Sequence, residues 1–441
     1  MRTQNRIILT AVIAVSFSSL FAQVGQSPFS LNGIGDIRTL ATANHFGMAE
    51  VGIATPTPFN INNMNPAMLV YNRLSSFQMG VALDRRSVAT GDTTQTNGGA
   101  LLNNLVFSFP VALDRWTMSF GLMPLSNVNY DVEVTSLVPG TPIPTTSKFE
   151  GEGGLVQAYF SNGIRIAKGL SIGLRGSYIF GSIENESSSF VGRSNVEQDI
   201  LERGGVLVEA DTTISTRYKG ILNKRTTYGD VTLGFGVHYR YAKNDDTFFD
   251  FGLTFDPATN VDGNSTEWLS RRTLGNRVVV GFDSLEVKTP GSFRLPNRIG
   301  VGVAYEKLLN LTIGADVTYQ KWSEAREFDG SSDGFSDAVR VALGVEWIPE
   351  VNSIDTYFER ITYRMGFSYE QSPYLVNNSR VNDFGINFGW SLPVGSGSSF
   401  DMGFRFGQRG NLNDNPIRER YFKALVGVTI NDRWFVRRRF D

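Results

Sequence analysis

No cysteine occurs anywhere in the chain, and histidine occurs only at positions 45 and 238. The first absence removes disulfides, thiol nucleophiles and cysteine-held metal sites. The second leaves almost nothing from which to build an imidazole-based catalytic or metal centre, and no cofactor or metal is expected. Formal net charge is only -2 over 441 residues, which gives no electrostatic argument for nucleic acid as a partner. Beyond the N-terminus no apolar run reaches the ~18 residues that a helical membrane span requires. Glycine (46) and phenylalanine (32) are abundant instead, a pairing suited to packed strands with a greasy face.

That greasy face is clearest in residues 295–322, LPNRIGVGVAYEKLLNLTIGADVTYQKW. Ile299, Val301, Val303 and Tyr305 share one parity, and Arg298, Gly300, Gly302 and Ala304 share the other. After a polar break, Leu309, Leu311, Ile313, Ala315, Val317 and Tyr319 alternate with Asn310, Thr312, Gly314, Asp316, Thr318 and Gln320. Side chains alternate faces along a strand, so this is a hairpin with one apolar and one polar side. Similar alternation predicts strands near 74–86, 99–111, 115–133, 152–166, 169–184, 226–241, 247–260, 293–306, 309–322, 336–348, 359–371, 381–393, 398–410 and 417–431.

The connections sort by parity. They are short after even strands, as at 112–114, 167–168 and 306–308, and long after odd ones, with 187–225 and 261–292 the longest. The 349–359 connection is the one long even turn. Short periplasmic turns and long extracellular loops are the pattern of a bacterial outer-membrane barrel, which also has an even strand count. Charge agrees. Arg175, Arg240, Arg298, Asp316, Arg340, Glu346, Arg364, Glu370, Asp401 and Arg405 all fall on the polar parity and are expected to form a lumen network. Trp116, Trp347 and Trp390 fall outward near periplasmic strand ends, where an aromatic girdle belongs, whereas Trp322 falls inward. The expected fold is therefore an all-β transmembrane antiparallel barrel of about 14 strands with an N-terminal plug in its lumen.

Three segments follow. Residues 1–22 read as a secretory signal, with Arg2 and Arg6 before an apolar core and cleavage after Ala22. Residues 23–73, rich in Asn, Gly and Pro, do not alternate and are expected to plug the lumen. Residues 74–441 form the barrel. Gly300-x-Gly302 and Gly234-x-Gly236 lie inside strands and open no helix, so they are not phosphate loops. His238 is inward and could face a lumen serine, as in an outer-membrane hydrolase, but a satisfied buried histidine is the plainer reading. Arg437, Arg438 and Arg439 read as a solvated end with room for a partner. Pro124, three residues after Gly121, interrupts its strand. Proline donates no ladder bond, so the strand is expected either to bulge near the extracellular rim or to kink away from its neighbour there, making Gly121 and Pro124 a lateral gate.

The quoted residues resemble the FadL/TodX family of outer-membrane transporters for long-chain fatty acids and other hydrophobic compounds. NNMNPAML (62–69) is similar to that family's plug motif, which implies that Asn65, Pro66 and Ala67 lie on the plug and substrate path. FGLMPLSNVNY (120–130) resembles its third strand. The 295–324 stretch resembles its middle hairpin, and YRMGFSYEQSP (363–373) and FGWSLPVG (388–395) resemble two C-terminal strands. The resemblance implies a monomeric barrel in the bacterial outer membrane, with lipid and a hydrophobic small molecule as its partners. It further implies passive transport, with ligand leaving sideways into the membrane. The GIGDI start and the NDRWFVRRRFD ending look more like envelope proteins of the Bacteroidota, some of which serve as non-transporting parts of outer-membrane assemblies. Other outer-membrane proteins are then the expected partners.

Overall fold

The computed structural model describes residues 25–433, apart from 92, 142–143, 192–217, 274–285, 333, 377–378, 396 and 414. The expected signal segment and the triple-arginine end lie outside the described residues. The wall consists of β2 (Ser75–Thr90), β3 (Thr93–Ala112), β4 (Trp116–Pro124), β5 (Ser126–Leu137), β6 (Pro144–Ala167), β7 (Leu170–Val191), β8 (Tyr218–Ala242), β9 (Thr247–Asp256), β10 (Thr259–Thr273), β11 (Glu286–Leu295), β12 (Arg298–Lys307), β13 (Leu311–Gln320), β14 (Ala338–Trp347), β15 (Thr362–Val376), β16 (Ser379–Pro393), β17 (Ser399–Arg409) and β18 (Arg418–Asp432), while β1 (Asp36–Ile37) lies within. β4 with β5, β9 with β10, and β11 with β12 are each two halves of one strand. The breaks fall at Pro124, Pro257 and Pro296, each a residue that cannot donate to the ladder. Fourteen antiparallel wall strands result, and β18 closes on β2 from Asp432↔Ser75 to Arg418↔Ala89.

Parity holds along β12 and β13, whereas the β2–β3, β3–β4, β6–β7 and β15–β16 ladders carry register shifts. On β12 and β13 the lipid side carries Ile299, Val301, Val303, Ile313, Val317 and Tyr319, all exposed, while Gly300, Gly302, Ala304, Asp316 and Thr318 are buried inside. Trp347 packs at a tilt against Tyr363 (5.9 Å between rings) and Trp390 edge-on against Phe404 (5.4 Å), forming part of an outward aromatic belt at the short-turn end. Trp116 is half-buried and donates to Asn162 Oδ1 at 3.2 Å. Trp322 is buried against Phe335, because β13 has ended at Gln320 and a 3-10 turn turns the ring inward.

Several strands run further than the hydrophobic pattern indicates. β7 reaches Val191, β8 starts at Tyr218, and β10 and β11 occupy much of the expected 261–292 loop. Beyond the bilayer both faces of a strand are wetted and alternation loses its cause, yet the ladder continues. Gly263↔Gly291 and Trp268↔Glu286 pair there without any apolar stripe.

Inside lie the 3-10 turn Pro28–Leu31, β1, helix α1 (Ala43–Gly47) and the 3-10 turn Pro66–Tyr71, with nearly every residue from 40 to 55 buried. Glycine makes this possible. Paired inward glycines on neighbouring strands, Gly173↔Gly236, Gly252↔Gly302, Gly344↔Gly366 and Gly389↔Gly403, form a belt at the level of the internal segment. A Cβ on Gly344 would come within 2.6 Å of the Met48 carbonyl oxygen, so internal backbone and wall meet where no larger side chain fits.

Candidate functional site

The internal segment is held by wall side chains that reach its backbone. Asp316 on β13 accepts from the amides of Gly52 (2.7 Å) and Ile53 (2.9 Å). Arg340 on β14 donates to the Ala49 carbonyl (2.6 Å) and pairs with Glu50 (2.8 Å). Ala49 and Glu50 are consecutive non-glycine residues at φ 56° and 59°, a costly turn that this clamp supports. Asn387 donates to the Phe46 carbonyl at 2.6 Å. Within α1, burial pushes the pKa of His45 down to about 4, with Arg364 adding to the effect, so the ring stays neutral.

Asn65 caps the Pro66–Tyr71 turn. Its Oδ1 accepts from the Ala67 amide (3.0 Å), while its Nδ2 donates to the carbonyls of Ile53 (2.8 Å) and of wall residue Val237 (3.2 Å). Pro66 occupies the first turn, where its missing N–H costs nothing. Arg175 donates to the Asn63 carbonyl (3.0 Å) and pairs with Asp256 (2.8 Å).

Several of the charges that fall on the polar parity find partners in the lumen, and some of those partners come from outside that set. Arg364 pairs with Glu346 (2.6 Å), Arg405 with Asp383 (3.1 Å), and Arg340 lies 3.8 Å from Glu370. Asp401 accepts from Ser391, Ser399 and Thr429 rather than from a cation. The densest cluster was missed. Arg86, buried, binds Asp36 (3.3 Å), Asp84 (2.7 Å) and Glu419 (3.0 Å), and Arg409 bridges Asp36 (2.8 Å) to Asp383 (3.2 Å). Burial alone would raise the Asp36 pKa, but Arg409 and Arg86 outweigh it and hold the carboxyl below the usual range. Asp84 and Arg86 share the inward parity of Gly80 and Ala82, so strand parity carried to the strand ends would have found them.

His238 belongs to a polar lock. Its Nε2 lies 2.9 Å from Asp250 Oδ1 and its Nδ1 lies 3.2 Å from the Tyr71 hydroxyl. Arg240 binds Asp250 and Glu306 and covers the Tyr71 ring at 4.7 Å. Ser171 is the cross-strand neighbour of His238, but Ser171, His238 and Asp250 are all 0% exposed. A substrate cannot reach this trio, so the arrangement ties Tyr71 to the wall and offers no hydrolytic site. His238→Ala is expected to lower stability by roughly 1–3 kcal/mol, since Asp250 and Tyr71 lose a buried partner. Urea titration of the folded barrel would measure this, and an unchanged midpoint would refute the lock.

At the strand break the wall changes partners. β4 pairs with β3 as far as Leu105↔Leu122 and with β6 as far as Pro124↔Val156. β5 pairs with β6, while its other edge goes to the internal segment: Asp36↔Asn127, Ile37↔Ser126, Arg38 N to Leu125 O (2.9 Å) and Ser27 N to Asn129 O (2.8 Å). No pairing joins β3 to β5 among the described residues. Gly121 still sits in the ladder opposite Val106, where a Cβ would strike the Leu105 carbonyl, so it serves close packing and the break begins after Leu122.

Fourteen closed strands, a buried N-terminal segment and an interrupted third strand define an outer-membrane β-barrel of the FadL-like channel fold. Residues 4–441 match the BamG family, and the chain belongs to it. Among curated proteins none matches. Among solved structures it is similar to the toluene transporter TodX of Pseudomonas putida (14% identity, TM-score 0.56, covering 90% of this chain and 100% of that one). It is also similar to the toluene transporter TbuX of Ralstonia pickettii (14%, 0.53, 87% and 97%) and to a FadL homologue of Pseudomonas aeruginosa (12%, 0.53, 90% and 99%). At these identities the likeness is one of fold.

Proposed function

We propose that this barrel is a passive outer-membrane passage for hydrophobic small molecules such as long-chain fatty acids, which leave sideways through the wall beside Pro124. In this reading residues 23–73 are the plug, residues 74–441 the monomeric barrel, Asn65, Pro66 and Ala67 part of the path, and no chemistry is performed. The supporting observation is the exchange of edges at the break. β5 is unpaired with β3, and its edge is covered by the two rungs of β1 and the flanking main-chain bonds of Arg38 and Ser27, a far shorter ladder than its neighbours. A short ladder opens at far lower cost than the long ones around it. The toluene transporters that share the fold support the same solute class.

The chain's lack of cysteine allows a clean test. Ile37→Cys with Ser126→Cys, a register pair, should form a disulfide that fixes β1 in the gap. Uptake of a fluorescent hydrophobic probe into proteoliposomes is expected to fall on oxidation and to return on reduction. Equal uptake in both states removes the lateral route.

One observation favours a second reading, a non-transporting subunit of an outer-membrane assembly. A lumen cavity of about 120 Å3 beside β1 has Asp36, Glu50, Asp383, Arg405, Arg409 and Lys423 on its lining together with apolar residues such as Phe46 and Leu425, and so many charges suit an apolar solute less well than an all-apolar pocket would. Absence of uptake in both redox states, together with stoichiometric co-purification from native membranes, would favour it.

A further inference from the structure

The outward faces of β2 and β18, the two strands that close the wall, change character at neighbouring rungs. On β2 the outward residues run Phe77, Met79, Val81 and Leu83, and the next outward residue is Arg85, which is exposed. On β18, read toward the extracellular end, they run Val428, Val426, Ala424 and Phe422, and the next is Arg420, also exposed. Arg418 follows one outward position further on. Arg85 lies opposite Phe422 and Arg420 opposite Ser87, so the two arginines are diagonal neighbours across the closing ladder. Such neighbours stand about 7–8 Å apart, within reach of two long side chains that converge on one group. Arg420 Nε donates to Gln408 Oε1 at 3.2 Å, which steadies its guanidinium and leaves the remaining donors of the fork open.

The charge on this face is of one sign. No carboxylate occupies the outward parity of β2, β3, β16, β17 or β18 at or above these rungs among the described residues. Asp84, Asp383 and Glu419 on the same strands point inward and are taken up by Arg86, Arg405 and Arg409. On the β7–β8 side the outward Arg225 is instead paired with Glu184 at 2.5 Å. An arginine placed where an apolar stripe ends lies at the head-group level of the bilayer, and its stem follows the apolar surface while its charge reaches the polar layer.

We propose that Arg85 and Arg420, with Arg418 beside them, bind the phosphate of an outer-leaflet lipid of the lipid A class. Guanidinium forks match phosphate oxygens. Directly below lie Leu83, Phe406 and Phe422, exposed on the wall, against which acyl chains pack; this favours a lipid phosphate over a free one. Because Arg85 belongs to β2 and Arg420 to β18, the bound head group bridges the ladder that closes the barrel. The site is independent of whether the barrel transports anything.

The test uses the full-length barrel in neutral detergent micelles at constant ionic strength. It is titrated with diphosphoryl lipid A, with the same lipid after removal of its phosphates, or with inorganic phosphate. A saturable rise in unfolding temperature is expected with the phosphorylated lipid alone. Arg85→Gln and Arg420→Gln should each weaken that response by roughly fivefold, the worth of one cation near a charged membrane surface, and together by about twentyfold or more. In micelles without added lipid both variants should unfold at the parent's temperature, which separates a lost site from a lost fold. Arg225→Gln, on the far side, should bind the lipid as the parent does. Three results would overturn the site: an equal response to the dephosphorylated lipid or to inorganic phosphate, an undiminished response in the double variant, or the same loss in Arg225→Gln.

Discussion

Arg86→Ala is expected to cost the folded barrel about 3–5 kcal/mol, the range for removing one partner of a buried charge cluster. Three carboxylates, Asp36, Asp84 and Glu419, converge on this guanidinium, and Arg409 alone reaches one of them. Removing Arg86 leaves Asp84 and Glu419 facing each other with no cation in ion-pair range among the described residues. The effect should spread inward, because Asp36 is half of β1 and Ser27 donates to Glu419. Ion conductance in planar bilayers should rise as the internal segment loosens. Arg86→Ala combined with Glu419→Gln should recover part of the stability, since one orphaned charge is removed. A urea midpoint equal to the parent's in the single variant would mean that the cluster contributes nothing net.

The second large effect concerns the bilayer. Val317→Arg should impair folding into lipid by about 2–4 kcal/mol, the cost of a cation on the lipid face near mid-membrane. Val317 is 46% exposed on the outer face of β13, opposite Val301 and Val341 in its neighbouring ladders. Thr312→Arg, on the inner parity near the short-turn end, should cost much less, because its head group enters the polar lumen. Refolding into vesicles, followed by heat-modifiable gel mobility, separates the two. Equal losses would contradict the assignment of faces.

Most of the barrel was legible in the sequence because lipid and lumen impose opposite demands at every second residue. Arg175, Arg240, Asp316, Arg340 and Arg364 could be placed inward from parity alone, and strand number followed from the turns. What escaped were the features without a lipid boundary. β10 and β11 continue above the membrane, where nothing forces alternation. The partners of the internal segment, Asp36, Glu50 and Tyr71, come from a stretch with no period at all, so only three-dimensional packing identifies them. His238 was legible as inward, but its role depends on Tyr71 and Asp250, which lie 167 and 12 residues away. Pro124 ends β4 in the structure, while Gly121 packs closely against β3.

The seam between β18 and β2 constrains how the molecule comes into being. Its ladder joins Asp432 to Ser75, so it is the most sequence-distant neighbour pairing in the wall and bears the greatest loop-closure cost. α1 packs against β15, β16, β17 and β18, the last strands to emerge during synthesis. A segment clamped at so many heights cannot be threaded into a finished cylinder. The sheet is therefore expected to curl around an N-terminal segment already docked on its inner face, with the seam zipping last. Whatever inserts this chain has to hold β2 and β18 apart until that docking is done.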